Sequence, residues 1–400
     1  MLGGGQMGHD SLLTGSRQVG KSTLALKLTQ ISNYVTLDNL TVYSGAKEDP
    51  VSFIEKIPKP VIIDEIQKLP NLILSIKEYV DKDRKNGQFL LTGSANLLAF
   101  KTISDTLAGR MAIIDLWPLS IQEKYQSKKG ILDFVLQSPE ELSHSNVQPE
   151  ITESQIYECM ITGGFPEILK INSLRGRYLW FSSYIRTYIE RDVRDITNIR
   201  NIDGFIKVFR LFASRSANEL NKNNIANEAQ VDQKSLANYI EILKHTYQIY
   251  TLQNYSPNFT KRQIKSPKIF FTDTGILCHV LDIENAEILE QHRAKGSIFE
   301  TFVFSEILKH SSCIDKNIQI FFHRSPNKRE IDFILIHDGK MTAIEIKSSK
   351  TVNKGDFKHI NAIQDKCTKE KFNAGYVIYL GEHIVPFSDV TLAIPIQSLL

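Results

Sequence analysis

The stretch GSRQVGKS, residues 15–22, decides which fold the N-terminal part of the chain can have. It fits the pattern G-x-x-x-x-G-K-[ST], follows the apolar run SLLTG and opens the helical run STLALKLTQI. The glycines let backbone N–H groups and a helix N-terminus point at phosphate oxygens. Lys21 would reach the β- and γ-phosphates, and Ser22 would ligate Mg²⁺. A glycine-rich turn before a helix is the plainer interpretation. The predicted nucleotide-binding residues are Gly15, Ser16, Arg17, Gln18, Val19, Gly20, Lys21, Ser22 and Thr23.

A second element, Val61–Glu65, is an apolar strand that ends in two acids about 40 residues after the phosphate loop. In this arrangement, Asp64 would hold Mg²⁺ beside the phosphates, and Glu65 would orient or deprotonate the attacking water. Two acids at a strand end also occur as a solvated turn. The spacing after GSRQVGKS favours the phosphoryl-transfer interpretation, so we expect Asp64 to take part in nucleotide and metal binding and Glu65 in catalysis.

Two further positions extend the predicted site. The strand at residues 88–94 ends in hydroxyl residues, and in a parallel sheet this end lies beside the phosphate loop. Thr92 or Ser94 could contact the γ-phosphate or the water, or either could be a turn residue. Arg110, directly before the strand MAIIDLW, could reach the nucleotide of a neighbouring subunit, which would require a homo-oligomer, or could be an ordinary surface arginine.

The composition is that of a folded protein with several domains. The chain has 400 residues, 42% of them apolar and 23% charged, and a net charge of +3 that does not by itself demand nucleic acid. Its four cysteines are far apart and lack metal-ligand spacing, and no apolar run approaches a membrane span, so a cytoplasmic protein with no membrane partner is expected. We predict an α/β chain divided at residues 1–125, 126–200, 201–260 and 261–400.

The middle of the chain is mainly helical. Residues 203–255 predict a helix, a short helix, a turn at Val231 and Asp232, a longer helix and a hairpin in TYQIYTLQNY, the spacing of a winged helix-turn-helix. Such a unit can bind DNA or serve as a protein-interaction module or lid. The run at 190–195 predicts an ion-paired helix face or an interdomain contact. The candidate DNA contacts are Gln233, Lys234 and Asn238, with Lys244 and a basic loop that contains Lys261, Arg262, Lys265 and Lys268.

The C-terminal part combines Asp332 on one predicted strand with Glu345 and Lys347 on the next. Together with Glu300 on the preceding helix, this order predicts a restriction-endonuclease-like α/β domain. The carboxylates could share a hard divalent cation, and Lys347 could position water or stabilise negative charge. His323 and Arg324 could contact phosphate. Metal-dependent nuclease activity and a DNA-docking or structural role both remain open at this point.

As a set, TGSRQVGKST, VIIDEIQKLP, LLTGSANLL, LAGR and WPLS resemble the AAA superfamily, and specifically the predicted bacterial and archaeal AAA ATPases that carry a C-terminal domain of unknown function. GGFPE, YIERDVRDI, KSPKIFFTDTGIL, GSIFETFVFSEILK and EIDFILI extend the resemblance over nearly the whole chain. It implies a P-loop parallel-sheet AAA-type domain, with ATP and Mg²⁺ as cofactors. One departure is that only fourteen residues precede Gly15, so we expect the adenine pocket to be altered.

The resemblance implies ATP hydrolysis coupled to a C-terminal domain that could bind DNA. The alternative is an ATP-gated DNA-binding protein, or a metal-dependent nuclease whose Asp/Glu-x-Lys site carries the chemistry. A toxin-like or interaction protein with degenerate sites is a third class.

Overall fold

The structure is a computed structural model of the chain. It describes residues 10–28, 31–93, 111–144, 151–193, 199, 201–256, 266–325, 329–368 and 370–400. Within these residues, no helix is both long enough and apolar enough to cross a membrane. The elements fall into three regions along the chain, and each region has its own sheet or helical layer.

The N-terminal region is a five-stranded parallel sheet with helices on both faces. Its strands are β1 (Asp10–Thr14), β2 (Asn33–Thr36), β3 (Val61–Asp64), β4 (Phe89–Gly93) and β5 (Met111–Asp115), in the order β2-β3-β4-β1-β5. Its helices are α1 (Lys21–Leu26), α2 (Leu40–Glu48), α3 (Pro50–Lys56) and α4 (Leu72–Lys82).

Successive residues of the central strands enter different apolar clusters, as expected when a sheet is covered on both faces. Leu12 and Ile63 pack in one cluster with residues of α2, α3 and α4, whereas Leu13 and Ile62 pack in another with Ala25 of α1. This sheet and the order of its strands bring the ends of β1, β3 and β4 side by side. The mixed α/β N-terminal region is thus consistent with the P-loop AAA domain expected from the sequence.

The helices that follow are short up to residue 162 and then lengthen. They are α5 (Ile121–Tyr125), α6 (Ile131–Val135), α7 (Pro139–His144), α8 (Glu153–Thr162) and α9 (Leu174–Thr187), which continues into a π-helical turn at Tyr188–Val193. Gly163 and Gly164 of the GGFPE motif lie at the end of α8. The backbone N–H of Gly164 donates to Asp273 (2.8 Å), and its carbonyl accepts from the N–H of Leu119 (2.8 Å). The motif therefore joins three distant parts of the chain.

The next unit contains α10 (Ile202–Ser214), β6 (Asn218–Glu219), α11 (Lys222–Ala229), α12 (Gln233–His245), β7 (Ile249–Leu252) and β8 (Lys268–Phe271). The three strands form an antiparallel sheet in the order β6-β8-β7. The hairpin predicted within TYQIYTLQNY is wrong, because β7 pairs with β8 rather than with residues adjacent in the chain. The domain boundary predicted after residue 260 would separate β8 from β6 and β7, with which it forms one sheet.

The C-terminal region begins with α13 (Thr274–Val280), α14 (Ala286–Gln291) and the long buried helix α15 (Lys295–Ser311). It continues with β9 (Gln319–Arg324), β10 (Glu330–His337), β11 (Lys340–Lys347), α16 (Lys358–Gln364), β12 (Phe372–Tyr379), β13 (Val385–Ser388) and β14 (Thr391–Pro395). The six strands are ordered β13-β14-β12-β11-β10-β9. One large apolar cluster runs from the middle helices through α15 to this sheet, so the two regions share a core.

Candidate functional site

The loop between β1 and α1 has the curled backbone that its glycines favour. Gly15 has a φ of +152°, and a Cβ there would lie 2.2 Å from the carbonyl oxygen of Leu116, which no other residue type could tolerate; Gly20 has a φ of +99°. The Lys21 ammonium lies within the loop and donates to the carbonyls of Gly15 (3.1 Å) and Ser16 (2.7 Å). Lys21 is therefore buried at the first residue of a helix, with its charge held over the loop.

Asp64, at the end of β3, is the centre of the polar contacts beside this loop. Its Oδ1 accepts a hydrogen bond from the hydroxyl of Ser22 (3.0 Å) and another from Thr92, and its Oδ2 accepts one from Tyr34 (2.6 Å). The carboxylate is almost fully buried. The parallel order β2-β3-β4-β1 explains why residues from four separate segments meet here.

Tyr34 is a contact that the sequence does not predict, because nothing in the residues around β2 indicates that a side chain there belongs to the site. Partial burial and the neighbouring Asp64 carboxylate both raise the pKa of Tyr34, so its hydroxyl stays protonated and donates. Thr92, one of the two hydroxyl candidates on β4, lies against Asp64. Ser94 and Arg110 lie outside the described residues.

Glu65 directly follows β3 in the left-handed conformation, with a φ of +60°. A non-glycine residue held there stores some backbone strain, a feature often found at functional sites. Its backbone N–H points to the hydroxyl of Thr92 (3.4 Å), and its carboxylate accepts a hydrogen bond from Gln67. Its carboxylate is half-buried and lines the same cavity as the phosphate loop.

That cavity, of about 860 Å³, has the phosphate loop on one side and the middle region on the other. The second side includes Trp180 and Tyr184 of α9, whose rings stack with their centroids 5.2 Å apart and an interplanar angle of 12°. Leu116 and Leu119, from the segment after β5, also line it. The sequence predicts only that this part of the chain is mainly helical, so it does not mark this wall of the cavity.

In the C-terminal region, the predicted site residues Glu300 and Asp332 lie close together, but they surround the ammonium of Lys268. Lys268, the first residue of β8, places its ammonium 2.8 Å from Glu300, 2.5 Å from Glu330 and 3.4 Å from Asp332. Only 2% of its side chain is exposed. The prediction that Lys268 belongs to a basic loop that could contact DNA is wrong, because Lys268 is a buried strand residue that is ion-paired with three acids.

The other two predicted site residues, Glu345 and Lys347, lie on β11, which pairs with the strand that carries Asp332. Asp332 accepts a hydrogen bond from the backbone N–H of Ile346 (2.8 Å), and Glu345 is paired with Lys347 (3.0 Å). Burial and the charge of Asp332 raise the pKa of both Glu300 and Glu345, against the opposing effect of the lysines. Among the residues that the structure describes, no group of three or more His, Cys, Asp or Glu is placed to hold a metal ion.

The candidate DNA contacts that the structure describes, other than Lys268, lie on α12. Gln233, Lys234 and Asn238 all lie exposed on α12, with Gln233 donating to Asn223 (3.1 Å). Lys244 is paired with Glu241 (3.1 Å) on its own helix. Three of the four predicted basic-loop residues and the side chains of the charged run at 190–195 lie outside the description, apart from the buried Val193.

Arg324 is engaged in ion pairs rather than presented for phosphate. Its guanidinium lies 2.6 Å from Glu219 of β6 and 3.6 Å from Glu330 of β10. It therefore links the small sheet of the middle region to the C-terminal sheet. His323, its neighbour on β9, has a ring edge-on to Tyr255, with centroids 6.5 Å apart.

Three separate segments of the chain match known protein families. Residues 10–125 match the profile of an AAA domain, which supports an AAA-type ATPase. Residues 153–287 match a domain of unknown function (DUF8612), and residues 295–399 match another (DUF4143). The C-terminal match agrees with the expected domain of unknown function.

Curated relatives extend over most of the chain but have no described function. The uncharacterized protein Rv2008c of Mycobacterium tuberculosis is 24% identical over 390 residues, 97% of this chain and 80% of the relative. The uncharacterized protein MJ1544 of Methanocaldococcus jannaschii is 26% identical over 291 residues, 71% of this chain and 60% of the relative.

Among solved structures, protein VC1899 from Vibrio cholerae aligns over 97% of this chain and 95% of its own, at 11% identity and a TM-score of 0.21. A likeness at this level carries no argument about fold or function.

Proposed function

We propose that the protein binds ATP with Mg²⁺ and hydrolyses it to ADP and phosphate. The observation that carries this proposal is the 3.0 Å contact between the hydroxyl of Ser22 and the carboxylate of Asp64. A hydroxyl and a carboxylate are hard oxygen donors of the kind that Mg²⁺ takes in nucleotide sites, where phosphates and water complete its shell. The residues present therefore fit the ion that the AAA match implies.

Each residue of the site has a proposed role. Lys21 leaves its loop carbonyls to pair with the β- and γ-phosphates, and Ser22 and Asp64 hold Mg²⁺, whose charge offsets that of the phosphates. Tyr34 and Thr92 keep the Asp64 carboxylate in position through their hydroxyls. The remaining loop residues offer backbone N–H groups to phosphate oxygens.

Glu65 is the proposed catalytic residue that orients the attacking water or accepts its proton. Its position beside Asp64 and on the wall of the cavity supports this role. Ser94 and Arg110 remain proposed contacts of the γ-phosphate, with Arg110 acting on a neighbouring copy of the chain. The corresponding test is whether Arg110→Ala lowers turnover without weakening ATP binding.

The middle region supplies the proposed wall for the base. Trp180 and Tyr184 present stacked aromatic rings at the cavity, and a planar purine packs well on such a surface. This wall supports a nucleotide site whose base side is built by α9.

The finer domain assignments are also proposals. The order α10, β6, α11, α12, β7, β8 and the antiparallel sheet support a winged helix-turn-helix. The helix α15 against a mixed sheet, with Asp332 and Glu345 on neighbouring strands, supports a restriction-endonuclease-like fold for the C-terminal region. These units would follow an ATPase domain at residues 1–125, with boundaries near those of the sequence analysis except at β8.

The proposed ATPase is tested by measuring phosphate release from ATP and Mg²⁺, with and without DNA. Lys21→Ala should lose ATP binding, and Glu65→Gln should retain binding and lose turnover. Lys47→Ala is a matched control, since Lys47 is an exposed lysine on α2 that does not line the cavity. Unchanged ATP affinity in Lys21→Ala would show that the site is assigned wrongly.

ATP-gated DNA binding is the second candidate function, and the exposed polar face of α12 favours it. Phosphate contacts would make DNA affinity fall steeply with salt. If Gln233→Ala, Lys234→Ala and Asn238→Ala together leave DNA affinity and its salt dependence unchanged, α12 is not the DNA contact.

A further inference from the structure

We infer that the ammonium group of Lys268 is the resident cation of the acidic cluster formed by Glu300, Glu330 and Asp332, and that no divalent metal ion binds there. The inference concerns only this cluster, between the middle and C-terminal regions, and stands whether or not the N-terminal site hydrolyses ATP. It bears on the nuclease alternative, because an Asp/Glu-x-Lys site needs its carboxylates free to share a metal ion.

The hydrogen-bonding capacity of the lysine matches the cluster. A lysine ammonium has three N–H donors, and three carboxylate oxygens face it. The oxygens are Oε1 of Glu300 at 2.8 Å, Oε1 of Glu330 at 2.5 Å and Oδ1 of Asp332 at 3.4 Å. Because burial of an unpaired charge is costly, a lysine this deeply buried is expected to have its donors satisfied by acids.

The lysine also occupies the space that a metal ion would need. Mg²⁺ and Ca²⁺ lie about 2.0–2.6 Å from their oxygen ligands. An ion bound to both Glu300 and Asp332 would therefore lie in the volume that the ammonium fills, where it would also meet a like charge. Metal binding would require Lys268 to leave.

Its place in the fold holds Lys268 in position. Its backbone lies in β8, the central strand of the small sheet, where it is in register with Glu219 of β6 on one side and Leu252 of β7 on the other. Its ammonium is also 5.6 Å from the centre of the Phe322 ring, an added favourable contact for a cation. Moving the side chain out would break this packing and leave the three carboxylates without the cation that they share.

The remaining acids do not offer a second cation site. Asp332 uses its other oxygen to accept the N–H of Ile346, and Glu345 Oε1 accepts from Lys347. Glu345 Oε2 is buried and lacks a hydrogen-bond partner among the described residues. One oxygen does not make a divalent-cation site, because Mg²⁺ and Ca²⁺ take about six to eight ligands.

The test is Mn²⁺ binding to the full-length, nucleotide-free protein, measured by calorimetry and by the thermal shift that Mn²⁺ produces. The wild type and Asp332→Asn should bind Mn²⁺ alike, because any ion near Ser22 and Asp64 is common to both. Lys268→Met removes the ammonium at nearly constant volume, so it should melt at a lower temperature, gain one Mn²⁺ site and be stabilised by Mn²⁺.

Lys309→Met is the matched control. Lys309 lies on α15 and is also buried, but it pairs with Glu306 at 2.9 Å in a different cluster. Its loss should therefore destabilise the protein without creating a Mn²⁺ site. A wild-type Mn²⁺ site that disappears in Asp332→Asn overturns the inference. So does a folded Lys268→Met that binds no more Mn²⁺ than Lys309→Met. If Lys268→Met does not fold, the comparison of wild type with Asp332→Asn decides alone.

Discussion

Replacing Trp180 by leucine should weaken ATP binding while leaving the binding of inorganic triphosphate unchanged. Trp180 is half-buried on the wall of the cavity beside the phosphate loop and stacks on Tyr184 with ring centroids 5.2 Å apart. Leucine keeps an apolar side chain against Phe165, whose ring centre lies 5.4 Å from that of Trp180. The substitution thus removes the flat surface offered to the base and retains much of the packing.

The size of the effect follows from the stacking contact. Losing a base–aromatic contact costs about 1–3 kcal/mol. Leucine preserves part of the apolar contact, so we expect about 1–2 kcal/mol, which corresponds to roughly 5- to 30-fold weaker ATP binding. The triphosphate ion contacts only the phosphate loop, so its affinity should change less than about twofold, which is under 0.5 kcal/mol.

Isothermal titration with ATP and with triphosphate, each with Mg²⁺, measures both affinities on the same protein. Trp117→Leu is the control, because Trp117 packs edge-on to Tyr247 at 5.2 Å and does not line the cavity. Equal losses for ATP and triphosphate would mean that Trp180 acts through the fold of the loop. An unchanged affinity for ATP would refute the assignment of α9 as the base wall.

Four further outcomes follow from the contacts. Lys21→Ala should weaken ATP binding by at least tenfold, since a charge-assisted contact with phosphate contributes about 1.5–3 kcal/mol; titration with ATP measures it. Tyr34→Phe removes the 2.6 Å hydrogen bond to Asp64, so the Mg²⁺ concentration for half-maximal turnover should rise, with little change in ATP affinity in excess Mg²⁺. Glu306→Gln uncouples a buried pair with Lys309 and should lower the unfolding free energy by about 3 kcal/mol in denaturant titrations. Burial and the neighbouring Asp332 raise the pKa of Glu345 from 4.5 to about 8, so its contribution to stability is complete below pH 4.5 and is lost as pH rises towards 8. Thermal unfolding between pH 5 and 8 should therefore depend less on pH in Glu345→Gln than in the wild type.

Local spacing was enough to predict that residues of the phosphate loop and of the ends of β3 and β4 lie side by side. A phosphate loop needs its glycines and lysine at fixed separations, and an acid at the end of a parallel strand lies beside it wherever the intervening chain goes. Thr92 was one of two hydroxyl candidates on its strand, and the structure places it against Asp64. The parallel sheet itself was expected from short apolar runs that alternate with helices.

The missed contacts depend on packing between distant segments. Tyr34 meets Asp64 because β2 and β3 are neighbours in the sheet, an order that the sequence pattern does not encode. Trp180 reaches the cavity because α9 packs across it, although its spacing in the sequence is that of any apolar helix face. β7 pairs with β8, whose first residue is Lys268, whereas the predicted hairpin lay within TYQIYTLQNY and assumed a local turn.

Lys268 shows why the C-terminal chemistry could not be assigned from its motif. An Asp on one strand and Glu-x-Lys on the next predict carboxylates on neighbouring strands. The structure has this arrangement, because the backbone N–H of Ile346, next to Glu345, donates to Asp332. Neighbouring buried carboxylates need a compensating cation, but the motif does not say which one. Here the cation comes from a strand 64 residues before Asp332, in the sheet of the middle region. The ion pair therefore fastens the C-terminal region to the middle region, and the Mn²⁺ titrations decide whether the carboxylates serve that attachment or a metal ion.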